Sequence, residues 1–220
     1  MKDVLSQQWK TIIRKKTAGD FALSICGPSG VGKTTTIKAL LKNYPVFIET
    51  TEGNRHLSAL LKNKKDFNAA ANQRWFLSQI GKHIAKANPQ LPLILDQDPA
   101  AIVLAYAKMF FEDGKIKKSQ YESLFNRLLK IEKTLHGWKC PRTVLFLDAP
   151  AEVLYHRALK RSGKTLTPPL EWFERVRSHF VQLFTCFPNA FTISTARNSP
   201  EQVVAKAKAL IERKIKDGQA

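Results

Sequence analysis

Gly27-Pro28-Ser29-Gly30-Val31-Gly32-Lys33-Thr34 follows the apolar run Phe21 to Cys26 and leads into the helix-forming stretch Thr34 to Leu41. A strand, a glycine-rich turn with the spacing G-x4-G-K-T and a helix in that order make the Walker A pattern. The glycines allow the backbone angles that turn successive N–H groups inward around an anion. The helix that follows points its positive end at the same place. Gly27 through Lys33, Thr34 and Thr35 are therefore expected to hold the phosphates of ATP, with Lys33 on the β- and γ-phosphates and the Thr34 hydroxyl on Mg²⁺.

Four further apolar runs lie outward from this loop: Val46 to Glu49, Leu91 to Asp96, Thr143 to Asp148 and Ala190 to Ser194. All are short and mostly without alternation, as in strands buried on both faces. Helical stretches are expected between them at Phe67 to Ala87, Ala100 to Asp113, Gln120 to Leu135, Ala151 to Lys160, Leu170 to Phe184 and Pro200 to Ile215. Phe76, Ile80 and Ile84 share one face of the first. Ser199 before Pro200 reads as a helix cap. The expected architecture is α/β, a three-layer P-loop fold with a five-stranded parallel sheet and helices on both faces. It would form one domain over residues 1–220, with a short lid at about 157–170.

The 220 residues carry 36 Lys and Arg against 18 Asp and Glu, a formal net charge of +18. Such a surplus favours anionic partners, either nucleotides or nucleic acid. The basic residues are dispersed, with no aromatic interleaving that would mark a nucleic-acid module. No apolar run reaches the ~18–20 residues that a membrane-spanning helix requires. The first sixteen residues lack the apolar core of a secretory signal. Cys26, Cys140 and Cys186 show no paired spacing, which fits small core residues in a reducing cytoplasm.

Later strand ends narrow the chemistry, because ligands of open parallel sheets bind beyond the carboxyl ends of the strands. The second strand ends in Glu49 and the third in Asp96-Gln97-Asp98. Arg74-Trp75-Phe76-Leu77-Ser78-Gln79 follows on a helix. Val144-Leu145-Phe146-Leu147-Asp148-Ala149-Pro150 leads through Glu152-Val153-Leu154 to the basic run Arg157 to Gly163, and Leu170-Glu171-Trp172-Phe173-Glu174 opens the next helix.

In their order and spacing, these segments resemble the deoxynucleoside kinase family, which shares its fold with thymidylate kinases. The resemblance implies transfer of the γ-phosphate of ATP to a nucleoside hydroxyl. It makes Glu49 the general base, Trp75 and Gln79 part of the acceptor pocket, and Gln79 the reader of the base edge. Asp96 would border the acceptor and hold Mg²⁺ through water, while Arg157 and Arg161 would supply cations from the lid.

Two departures stand out. Gln97 replaces the arginine that the family places after the strand-3 carboxylate. The stretch Gly163-Lys164-Thr165-Leu166-Thr167-Pro168-Pro169 lacks the lid carboxylate that contacts the sugar. A nucleoside monophosphate kinase, a kinase of a polynucleotide 5′ end or another acceptor, and a non-catalytic ATP-binding module are the alternatives. Ile102, Val103, Tyr106 and Phe110 form an apolar face that reads either as core or as a homodimer interface.

Overall fold

The computed structural model describes residues 22–40, 46–47, 53–57, 67–86, 93–136 and 143–219. Five parallel strands, β1 (Ala22–Cys26), β2 (Val46–Phe47), β3 (Leu93–Asp96), β4 (Thr143–Asp148) and β5 (Ala190–Ser194), form one sheet in the order β2-β3-β1-β4-β5. The apolar runs at 143–148 and 190–194 are strands over the expected bounds. For the others the described strands lie within the expected runs, and residues 21, 48, 91 and 92, like Glu49, lie outside the described residues.

Residue alternation divides the strands between two cores. Leu23, Ile25, Ile94, Leu145 and Leu147 face one, while Cys26, Leu93, Leu95, Val144 and Phe146 face the other. This two-sided burial is why the runs are continuously apolar.

Helices cover both faces. On the first lie α1 (Lys33–Leu40), α5 (Ala151–Leu166) and α7 (Pro200–Gln219), contributing Ile37, Leu154, Ala207 and Ile211. On the second lie α2 (Ala69–Lys86), α3 (residues 99–112), α4 (Lys118–His136) and most of α6 (Leu170–Phe184). Ile80 and Ile84 of α2 are buried and Phe76 packs against the same core, as their spacing requires. At the start of α7, the Ser199 hydroxyl accepts from the Gln202 amide, and the Gln202 side chain accepts from the Ser199 amide. The two ends form a reciprocal capping box.

Helix α3 differs from the expected uniform helix. It begins as Pro99–Ala101, passes through a π-helical stretch at Ile102–Ala107 and ends as Lys108–Glu112. Asp98 caps its start, accepting from the Ala100 amide at 2.8 Å. Ile102 and Val103 are fully buried and Tyr106 and Phe110 pack on the same cluster, so this apolar face is core. Cys26 is buried and Cys186 half-buried; Cys140 lies outside the described residues.

Helix α5 runs six residues beyond its expected end and breaks at Gly163, where φ is 72°. Arg177 of α6 closes a two-point ion pair on Asp148 at the end of β4, at 2.8 and 2.7 Å. That bond raises the Arg177 pKa above its ordinary value. It also fixes α6 against the carboxyl edge of the sheet.

Candidate functional site

β1 lies at the centre of the sheet, and the chain leaves it through the glycine loop before crossing to β2. The neighbouring strands β3 and β4 enter from opposite halves of the chain. The loop therefore sits where the strand order switches, the position at which parallel sheets bind ligands.

Gly27, Gly30 and Gly32 all have positive φ, at 154°, 85° and 99°. Val31 between them is fully buried in the core beneath α1 and anchors the loop. Thr36 bonds back to the Gly32 carbonyl through its amide at 3.1 Å and its hydroxyl at 3.2 Å, fixing the first turn of α1. Lys33 Nζ donates to the carbonyls of Gly27 and Pro28 at 2.8 and 3.2 Å. Thr34 and Thr35 are exposed.

Gly27 also has a packing reason to be glycine. A Cβ there would come within 2.4 Å of the Leu147 carbonyl oxygen and 2.8 Å of Val31 Cγ1. The first obstacle is backbone in a central strand and has no room to yield. Gly27→Ala is expected to cost about 3 kcal/mol, lowering the unfolding midpoint by roughly 6–12 °C. Gly32→Ala, with nothing within 4 Å of its Cβ, costs only the left-handed backbone strain, about 1–2 kcal/mol. Calorimetry of the two variants checks this; equal losses would contradict the close approach at Gly27.

Around the loop stand three sets of side chains. Asp96 is buried at the end of β3, where its backbone pairs with Ile25 beside the loop. Gln97 follows with a left-handed φ of 73°. Asp98 caps α3, so its carboxylate serves that helix.

From the other side, Arg161 of α5 donates to the Ser29 hydroxyl at 3.2 Å. The basic segment thus touches the loop. Arg157, one turn earlier, is held elsewhere: its guanidinium donates to the Thr195 hydroxyl at 2.9 Å and the Thr195 carbonyl at 2.8 Å, beyond β5. It borders a cavity of about 290 Å³ with Gly32, Thr35, Thr195 and Asn198. The side chain of Lys164 lies outside the described residues.

Helix α2 supplies the third set. Asn54, just beyond β2, donates to the Asn72 side chain at 2.9 Å and ties the start of α2 to the carboxyl edge of the sheet. Gln73 beside it is only 4% exposed. Gln79 and Trp75 are half-buried. At 1.5 Å per residue, Gln79 lies about 9 Å further down the helix than Gln73.

Sequence reasoning passed over Gln73, yet a signal for it exists. Residues 73, 77, 80 and 84 share the apolar stripe of α2, and a glutamine on such a stripe is a buried polar group that requires partners. Among the described residues, no helix is long and apolar enough to cross a membrane.

A glycine loop between a central parallel strand and a helix, with a lysine, a buried carboxylate and a basic helix around it, defines a P-loop nucleotide-binding fold. The deoxynucleoside kinase family model matches residues 23–213, and the chain belongs to that family of nucleoside phosphotransferases. Among solved structures it is similar to deoxyadenosine kinase from M. mycoides in three forms. With the products dCMP and dCDP bound, the TM-score is 0.68 at 16% identity, covering 87% of this chain and 99% of the other. With dCTP the TM-score is 0.68 at 16% identity, covering 87% and 100%. With dATP it is 0.65 at 18% identity, covering 86% and 98%. These likenesses concern the fold. No curated protein matches the sequence.

Proposed function

We propose that the chain transfers the γ-phosphoryl group of ATP to the 5′-hydroxyl of a deoxynucleoside in the cytoplasm. The observation that carries this reading is the approach of Lys33 and Arg161 from two helices to one loop, Gly27 to Ser29, beside a strand pair that ends in the buried Asp96.

Loop amides, Lys33 and the positive end of α1 bind the β- and γ-phosphates and neutralise charge as it moves onto the leaving oxygen. Arg161 turns from Ser29 to the same phosphates when the acceptor is in place. Arg157, held by Thr195, forms a wall for the donor nucleoside in the adjoining cavity and keeps α5 in register with the segment after β5. Thr34 and Asp96 offer a hydroxyl and a carboxylate, hard oxygen donors of the kind that Mg²⁺ takes alongside nucleotide phosphates. When bound, that ion spreads the charge of the phosphates.

Glu49 accepts the proton of the attacking hydroxyl. Gln73, near the end of α2 that faces the site, reads the nucleobase edge; Trp75 and Gln79 lie further along the helix and shape the pocket wall.

The family to which the chain belongs acts on deoxynucleosides, so a neutral hydroxyl is favoured as the acceptor. Coupled measurement of ADP release with each deoxynucleoside and each deoxynucleoside monophosphate tests this. kcat/KM is expected to favour at least one deoxynucleoside by about tenfold or more over its monophosphate, equivalent to ~1.4 kcal/mol. The reverse ranking would make the chain a monophosphate kinase.

A groove of about 860 Å³ between α2 and α4 carries Arg74, Lys82, Arg127 and Lys130 and shares no residue with the phosphate loop.

A further inference from the structure

The carbonyl of Gly27 is where two parts of the site meet. Lys33 Nζ donates to it at 2.8 Å. The side-chain amide of Gln97 reaches it from β3 at 3.5 Å, the outer limit of a hydrogen bond. Gln97 is 2% exposed, and its Oε1 has no hydrogen-bond partner among the described residues. Only the NH₂ side of an amide can face a carbonyl, so contact with Gly27 fixes the orientation of the group. The Gln97 backbone is also specified: its N–H extends the β1–β3 ladder to the Ile25 carbonyl at 3.0 Å while φ sits at 73°. A non-glycine residue keeps such a φ only where its surroundings over-determine it.

We propose that Gln97 is a positioning residue for the phosphate loop, taking over the Gly27 carbonyl when Lys33 turns to the nucleotide. The proposal rests on reading Gly27 to Thr34 as the ATP site. Two of the three ammonium protons of Lys33 are directed at loop carbonyls, at Gly27 and Pro28. Neutralising the β- and γ-phosphates requires the ammonium to redirect them. Gly27 is buried at the root of the loop, and a buried carbonyl deprived of its donor opposes the movement that deprives it. The Gln97 amide already stands at the same oxygen and carries no charge to compete for the phosphates. An exchange of donors lets Lys33 leave without stranding the carbonyl, so ATP binding keeps the loop geometry fixed.

The signature of this role is a cost that appears only on binding. In Gln97→Leu, Lys33 still satisfies Gly27 while no nucleotide is present, so the unfolding midpoint without ligand should stay close to wild type. ATP binding should weaken about tenfold, as expected for a carbonyl left buried without a donor, and the ATP-induced rise in midpoint should shrink. Gln97→Arg restores a donor and should bind ATP within about twofold of wild type. A residue that only supported the fold would lower the midpoint without ligand in step with the affinity.

Calorimetric titration with Mg-ATP, paired with thermal unfolding with and without it, distinguishes these outcomes. Equal ATP affinity for wild type and Gln97→Leu, or a loss confined to the ligand-free midpoint, would overturn the proposal alone. Absence of ATP binding by the wild-type protein would overturn the phosphate-loop reading and this role with it.

Discussion

Lys33→Ala should lower kcat/KM for phosphoryl transfer by about a thousandfold or more, at least ~4 kcal/mol of lost transition-state stabilisation. The ammonium is the one cation that the loop carries itself, and its charge-assisted bonds act where negative charge builds as the terminal phosphoryl group departs. Its bonds among the described residues run to the Gly27 and Pro28 carbonyls, so the substitution leaves both sheet cores untouched. Activity should therefore collapse while the unfolding midpoint changes by only a few degrees. Steady-state kinetics with thermal unfolding on the same preparation checks both halves. Activity within tenfold of wild type would remove Lys33 from the mechanism.

The second large effect concerns Glu49. Glu49→Gln keeps size and hydrogen-bonding capacity but removes the basic carboxylate. A general base in phosphoryl transfer contributes about 10²–10⁴-fold, because positioning and charge neutralisation supply most of the acceleration. The loss should fall on kcat, with the ATP KM little changed, since in the proposed reaction the carboxylate acts on the acceptor hydroxyl. Single-turnover measurement of the chemical step separates this from slow product release. An unchanged rate would mean that Glu49 is not the base.

Much of the fold was legible because motif and periodicity agreed. The loop between Cys26 and Lys33 could sit only between a strand and a helix. The continuously apolar run from Thr143 to Asp148 could be satisfied only in a strand covered on both faces. Helix α3 was less legible. Asp98-Pro99 is a good start signal, but the two aspartates around Gln97 drew attention to phosphate chemistry, and a π-helical stretch leaves no mark in a 3.6-residue pattern. It was also open whether its apolar face met a partner or the core, since periodicity identifies an apolar face without identifying what covers it.

The site divides in the same way. The backbone geometry of the loop, with positive φ at Gly27, Gly30 and Gly32, was readable from spacing alone. Residues defined by distant partners were not. Arg157 reads as a free lid cation, yet its guanidinium is bound by Thr195, 38 residues further along the chain. Gln97 reads as a missing arginine, while its amide faces Gly27 across 70 residues of sequence. Gln73, 4% exposed, is marked in the sequence only by its polarity on the apolar stripe of α2.

The central claim is the direction of transfer: from ATP to a nucleoside hydroxyl. The purified protein, incubated with Mg²⁺, γ-labelled ATP and a panel of deoxynucleosides, should place the label in a nucleoside 5′-monophosphate, one ADP formed for each. Label released only as inorganic phosphate, or carried only by nucleoside diphosphates after monophosphates are supplied, would contradict it.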